Sequence, residues 1–148
     1  MGGYSSEVHI SIKSGNVVYN HLNKDKYNSF RVLILKEKWV ALDAEENEYV
    51  INKNDFSFVL NEKKVVFDCV FNAIHGAPGE NGQILAYLNL IHLKHTSAPF
   101  YQMALTFNKR DTLSAVKAYG IKAATSIYLN KGDAINLDTI IDKVGLPC

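Results

Sequence analysis

The chain has little of what would assign it to a special class. It has two cysteines in 148 residues, Cys69 inside an apolar run and Cys148 as the last residue. That is neither a disulfide framework nor a metal-ligand spacing, so Cys69 is expected to be a small core residue. No apolar run approaches the ~18 residues of a membrane span, and the first residues lack the basic start and apolar core of a secretory signal. No charge of one sign dominates: 16 Lys and Arg stand against 15 Asp and Glu, with no basic block. This argues against nucleic acid or an anionic membrane as partner and points to a small molecule, with a cytoplasmic location as the expectation. There is no repeat, no low-complexity segment and no obvious flexible linker. The length fits one domain, or one domain and part of a second.

What is present is organised around residues 65–91. Val65-Val66-Phe67-Asp68-Cys69-Val70-Phe71 is a β-branched and aromatic run that ends in His75-Gly76-Ala77-Pro78-Gly79-Glu80-Asn81-Gly82, after which Ile84, Leu85, Leu88 and Ile91 recur at helical spacing. This reads as strand, loop and helix, the strand buried on both faces as in a parallel α/β sheet. Ligands bind beyond the carboxyl ends of such strands, which places His75 to Gly82 where a site is expected.

In chain order, Ser5 or Ser6 can cap a helix whose first turn holds Glu7. The next stretch is ambiguous. Val8, Ile10 and Ile12 alternate in strand fashion, while Ile10, Val17, Val18 and Leu22 with Ser14-Gly15 suit a helix; the alternation leans to strand. Phe30 to Leu35, Trp39 to Leu42 and Glu48 to Ile51 read as strands, and Asn61-Glu62-Lys63 as a hairpin turn, so that 36–64 forms a small antiparallel decoration. Leu93 to Thr96 is a short strand and Pro99 starts a helix to Phe107. Asn108 with Asp111 caps a helix from Lys109 ended by Gly120, Ala124 to Leu129 is a strand, and Asn136 caps Leu137 to Val144. The glycine turn at Met1-Gly2-Gly3 has no strand before it, and Leu146-Pro147-Cys148 resembles the opening of another strand; a fragment is expected.

Three features carry candidate chemistry. The HGAPGENG loop allows close backbone approach, and the helix after it offers free N–H groups to a carboxylate or phosphate. Glu7 follows a second glycine turn. Lys109, a cation at a helix start, opposes the dipole and would suit a nearby anion. Each has a plainer alternative: Glu80 capping a helix, Glu7 complementing a dipole, Lys109 merely exposed. His9, His21, His92 and His95 share no metal-ligand spacing.

In order, GGYSSEVHISIKSG, FNAIHGAPGENG and ALTFNKRDT resemble motifs of the D-alanine–D-alanine ligases of the ATP-grasp superfamily, in the version typical of Bacteroidetes-like bacteria. The resemblance covers essentially the whole chain. It implies a Rossmann-like amino-terminal domain with a mainly parallel sheet over 1–107 and the first helix-strand-helix of an ATP-grasp domain over 108–148, the first strand missing. It also favours helix after Glu7. The activity it implies is ATP-dependent joining of two D-alanines through an acyl phosphate, for peptidoglycan, with ATP and magnesium as cofactors and a homodimer at full length. Glu7 matches the residue that holds the first D-alanine's ammonium, and His75 the one near its carboxylate and the acyl phosphate. Lys109 matches a lysine on the ATP phosphates, while Ser11, Gly76 and Glu80 match positions that shape the loops. Asn81 departs from the family's Asp. The partners of Glu7, the oxyanion-stabilising Arg and every magnesium ligand would lie beyond Cys148, so the chain alone is expected to be inactive and marginally stable. A non-catalytic amino-acid-binding or dimerisation module, or another ATP-grasp carboxylate-amine ligase, are the alternatives.

Overall fold

The computed structural model describes residues 1–146 and is α/β; the strand expected to begin near Pro147 and Cys148 lies outside them. It divides into two compact units, the first running from Met1 to Phe107 and the second beginning at Asn108.

The first unit opens with α1, Val8–His21, where the alternation had leaned to strand. The reason is which face is buried. Ser11 is buried, and Ser14, Gly15 and Val18 are half-buried at the i, i+3, i+4 and i+7 positions of one helical face, whereas Ile10 and Val17 are exposed. A helix that packs through small polar residues hides its period from a hydrophobicity reading.

Strands β1 (Arg31–Ile34), β2 (Trp39–Leu42) and β3 (Glu48–Val50) form an antiparallel sheet. A hairpin follows, β4 (Phe58–Leu60) and β5 (Lys63–Val65), whose turn residues Asn61 and Glu62 both have positive φ. That conformation matches the right-handed twist of paired strands. β6 (Cys69–Val70) pairs in parallel with β7 (Lys94–His95), and Gly2 makes a parallel bridge to Ile34. The sheets are therefore small and mixed. Helices α2 (Gln83–Leu90) and α3 (Phe100–Phe107) complete the unit.

The core sits between these sheets and α2. Leu85 and Leu88 are fully buried with Ile84 against Ile34, Ala41, Ile51, Phe56, Phe58 and Ile74. Each large side chain so buried contributes about 1.5–3 kcal/mol. Phe30, Phe56, Phe58 and Phe67 meet at centroid distances of 5.1–6.3 Å.

The organising run differs from its expectation. Val65 closes β5 against Phe58, residues 66–68 join no ladder, and Cys69 and Val70 alone pair with β7; Cys69, Val66 and Phe71 are exposed, so Cys69 is not a core residue. The run borders a cleft of about 720 Å³ shared with α1 and β1, lined by Val18, Phe30, Val32, Phe67 and Ala73. Met1 also lines that cleft.

In the second unit Asn108 caps α4 (Lys109–Ala118), accepting from the N–H groups of Arg110 and Asp111, and Asn136 caps α5 (Leu137–Val144) through the Thr139 N–H. Residues 124–129 form no strand. A strand needs a neighbour for its backbone groups, and the described residues of this unit supply none. The Arg110 guanidinium instead covers the Tyr128 ring, 4.6 Å from its centroid.

Candidate functional site

Two glycine-containing turns meet in the first unit. Gly2 and Gly3 both have positive φ, and the Tyr4 N–H donates to the Ala77 carbonyl at 2.7 Å, which joins the first turn to the loop after His75. A Cβ on Gly3 would stand 2.8 Å from the Ile74 side chain, so only glycine permits the approach.

Ser11 is the clamp. Fully buried, its hydroxyl oxygen accepts from the Gly2 N–H at 2.8 Å, and its O–H donates to the Ala73 carbonyl at 2.7 Å. Ser5 ties the same parts one turn earlier: its hydroxyl donates to the His75 carbonyl at 3.0 Å and accepts from the Glu7 N–H at 3.2 Å. Ser14 Oγ lies 3.2 Å from His75 Nε2. The His75 backbone and ring are thus each held by a serine from the α1 region.

The loop from Gly76 to Gly82 closes on itself. Glu80 Oε2 accepts from the Gly76 N–H at 2.9 Å, and the Glu80 N–H returns to the Gly76 carbonyl at 2.8 Å. The Gly82 N–H donates to the Gly79 carbonyl, the Gln83 N–H to Asn81 Oδ1, and the Ile84 N–H to the Pro78 carbonyl. The expectation that the start of α2 offers free N–H groups to an anion is thereby narrowed, because the loop takes those of Gln83 and Ile84, the first two residues of the helix. Glu80 likewise serves Gly76 rather than capping α2, whose N-cap is Gly82. Asn81 Oδ1 accepts from the Gln83 N–H at 3.3 Å.

Glu7 is the N-cap residue of α1 and makes no side-chain cap bond. Its carboxylate is exposed beside Gly76, Oε2 lying 3.5 Å from where a Cβ on Gly76 would be. Gly76 has φ +71°, and that Cβ would also meet Ser5 Oγ at 2.6 Å. The structure thus places the Glu7 carboxylate beside Gly76 and the His75 ring against Ser14, while Ser11 is fully buried between Gly2 and Ala73. Lys109 belongs to the other unit, where it is exposed as the first residue of α4. Ser5 and Ser14 were not singled out as site residues by the sequence reading. Once α1 is a helix, the three-residue spacing from Ser11 to Ser14 places both hydroxyls on one face.

Among the described residues no three His, Cys, Asp or Glu side chains cluster so as to hold a metal ion. The residues present do not make a magnesium site, and no step is assigned through one. No helix of the described residues is long and apolar enough to cross a membrane.

Comparison with known proteins is consistent along the chain. A D-alanine–D-alanine ligase of Flavobacterium johnsoniae is 62% identical over all 148 residues, which make up 46% of that protein. The solved D-alanine–D-alanine ligase of Coxiella burnetii has a TM-score of 0.82 at 25% identity, over 97% of this chain and 48% of that one. The Bacillus anthracis ligase complexed with ATP gives 0.66 at 25% identity, over 99% and 43%. The chain spans about half the length of the curated relatives it matches. With residues 1–98 matching the model described as the D-ala D-ala ligase N-terminus, the chain belongs to the D-alanine–D-alanine ligase amino-terminal family.

Proposed function

We propose that this chain supplies the wall for the first amino acid in an ATP-dependent D-alanine–D-alanine ligase that works in the cytoplasm, as a homodimer at full length, for peptidoglycan synthesis. The observation that supports the reading is the link that Ser5 makes between the Glu7 N–H and the His75 carbonyl, with the Glu7 carboxylate beside Gly76 and the His75 ring on Ser14. The Glu7 carboxylate attracts the ammonium of the first D-alanine. His75 donates a hydrogen bond toward that amino acid's carboxylate, where charge grows as the acyl phosphate forms; preorganised donors at such a position stabilise the transition state. Gly76 lets the backbone approach the substrate, since any side chain there would fill the space beside Glu7 and Ser5. The unit from Asn108 is the start of an ATP-grasp domain, and Lys109 contacts the ATP phosphates. Magnesium, when bound in the complete enzyme, would neutralise phosphate charge from ligands outside this chain.

The test is a chimera in which this chain replaces the matching 148 residues of the F. johnsoniae ligase. It should release phosphate in a D-alanine-dependent manner, and His75→Gln should lower kcat by about 10²–10³-fold, the usual loss for one transition-state donor. A folded chimera without activity, or D-alanine-dependent phosphate release by the 148-residue chain alone, contradicts the reading.

A further inference from the structure

We propose that Ser14 is a positioning residue that fixes the neutral tautomer of His75, placing the ring proton on Nδ1 and making Nδ1–H the donor offered to the substrate carboxylate. The final clause rests on the functional reading above; the tautomer itself does not.

The argument begins with the Ser14 hydroxyl, which has one proton to give. A hydroxyl inside a helix commonly donates it to the carbonyl four residues back. Three others in this chain do so: Thr106 to Gln102, Thr112 to Asn108 and Ser114 to Arg110. Ser14 does not. Its hydroxyl points away from the α1 backbone to His75 Nε2, at 3.2 Å, its one hydrogen-bond contact in the structure. If Nε2 carried the proton, Ser14 Oγ would accept from it, and the hydroxyl proton would be left without a partner in a partly buried position. That loses a hydrogen bond the backbone could otherwise have received. If Nε2 is the bare nitrogen, Ser14 donates to it and both groups are satisfied.

In a neutral imidazole the proton then resides on Nδ1, since which nitrogen is protonated is set by the bond the other makes. Nδ1 makes no hydrogen bond among the described residues and is not fully buried, in a residue that is itself half-buried. The His75 backbone cannot drift from this arrangement, because Ser5 holds its carbonyl and Ser11 holds the carbonyl two residues earlier. The consequence is chemical. A carboxylate-facing ring that is a donor while neutral does not depend on protonation of the imidazole, so it still works at the alkaline side of neutral, where ordinary histidine is uncharged.

The test is a long-range ¹H–¹⁵N correlation spectrum of the labelled 148-residue chain at a pH where histidine is neutral, with His75 assigned by its loss in His75→Gln. Wild type should show His75 with a protonated Nδ1 and a bare Nε2, against the preference of free histidine for Nε2–H. Ser14→Ala should move the tautomer ratio toward Nε2–H by about fivefold, the effect of one ordinary hydrogen bond. Ser14→Thr, which keeps the hydroxyl, should restore Nδ1–H. A structural role alone would leave the ratio unmoved. Nε2–H dominating in wild type overturns the proposal even if Ser14→Ala fails to fold, and so does Nδ1–H persisting in folded Ser14→Ala. An inactive chimera would refute the functional reading and leave this result standing.

Discussion

Replacing Ser11 with alanine removes one small side chain and orphans two backbone groups. The Gly2 N–H, in a buried residue, loses its acceptor at 2.8 Å, and the partly buried Ala73 carbonyl loses its donor at 2.7 Å. A buried polar group left unpaired costs about 1–3 kcal/mol, and one that water can reach costs less. Together these give roughly 2–4 kcal/mol. Alanine is the better helix former by about 0.5 kcal/mol, which offsets a little. The expected destabilisation is therefore about 1.5–3.5 kcal/mol, large against the ~5–15 kcal/mol of an ordinary domain. Urea unfolding followed by the fluorescence of Trp39, the sole tryptophan, reads it directly, since that ring packs 5.6 Å from Tyr87 and 6.2 Å from Phe56 in the core. The midpoint should fall with the slope unchanged. Lys13→Ala, an exposed change in the same helix, should stay within about 0.5 kcal/mol. If Ser11→Ala behaves like Lys13→Ala, the serine does not clamp the two turns and the account of the site's construction is wrong.

Two more predictions concern the loop after His75 and the Asp55–Lys64 ion pair. Gly79→Ala would place a Cβ 2.6 Å from Ile74 Cβ and 2.7 Å from its carbonyl oxygen, so it should destabilise by about 1–3 kcal/mol in the same assay, while a neutral result would mean the loop is looser than described. Asp55 is held down to about 2 by its hydrogen bond from Lys64 and then by Ser57. A carboxyl whose folded value is depressed stabilises the fold above its unfolded value of about 3.8 and loses that contribution as pH falls toward 2. Lys64→Met should move the Asp55 midpoint, followed by NMR, up toward the ordinary value; an unmoved midpoint would deny the pair its role.

Most elements were legible where local chemistry decides them. The Asn108 and Asn136 caps are short-range signals that stand as read; of the Asn61-Glu62-Lys63 turn Lys63 already belongs to β5, and of the stripe Ile84, Leu85, Leu88 and Ile91 the last is the C-cap of α2. Tertiary context decided the rest. α1 packs through Ser11, Ser14 and Gly15, so its apolar residues misreport its period. The run from Val65 to Phe71 is apolar enough for a doubly covered strand, yet only Val65, Phe67 and Val70 are half-buried while Val66, Cys69 and Phe71 are exposed. Residues 124–129 have strand-like composition but no partner strand among the described residues of their unit. Glu7, His75 and Gly76 could be picked out by motif. Their serine supports could not, because a hydroxyl's partner some sixty residues away leaves no mark in local sequence.

The most direct test of the central claim is the D-alanine dependence of the chimera carrying Glu7→Gln. That change keeps size and hydrogen bonding and removes the charge proposed to attract the substrate ammonium. The account predicts a folded enzyme whose KM for the first D-alanine rises by at least about tenfold, the equivalent of a 1.4 kcal/mol loss, with its KM for ATP unchanged. An unaltered KM for D-alanine, or a rise confined to ATP, would show that Glu7 does not hold the amino acid.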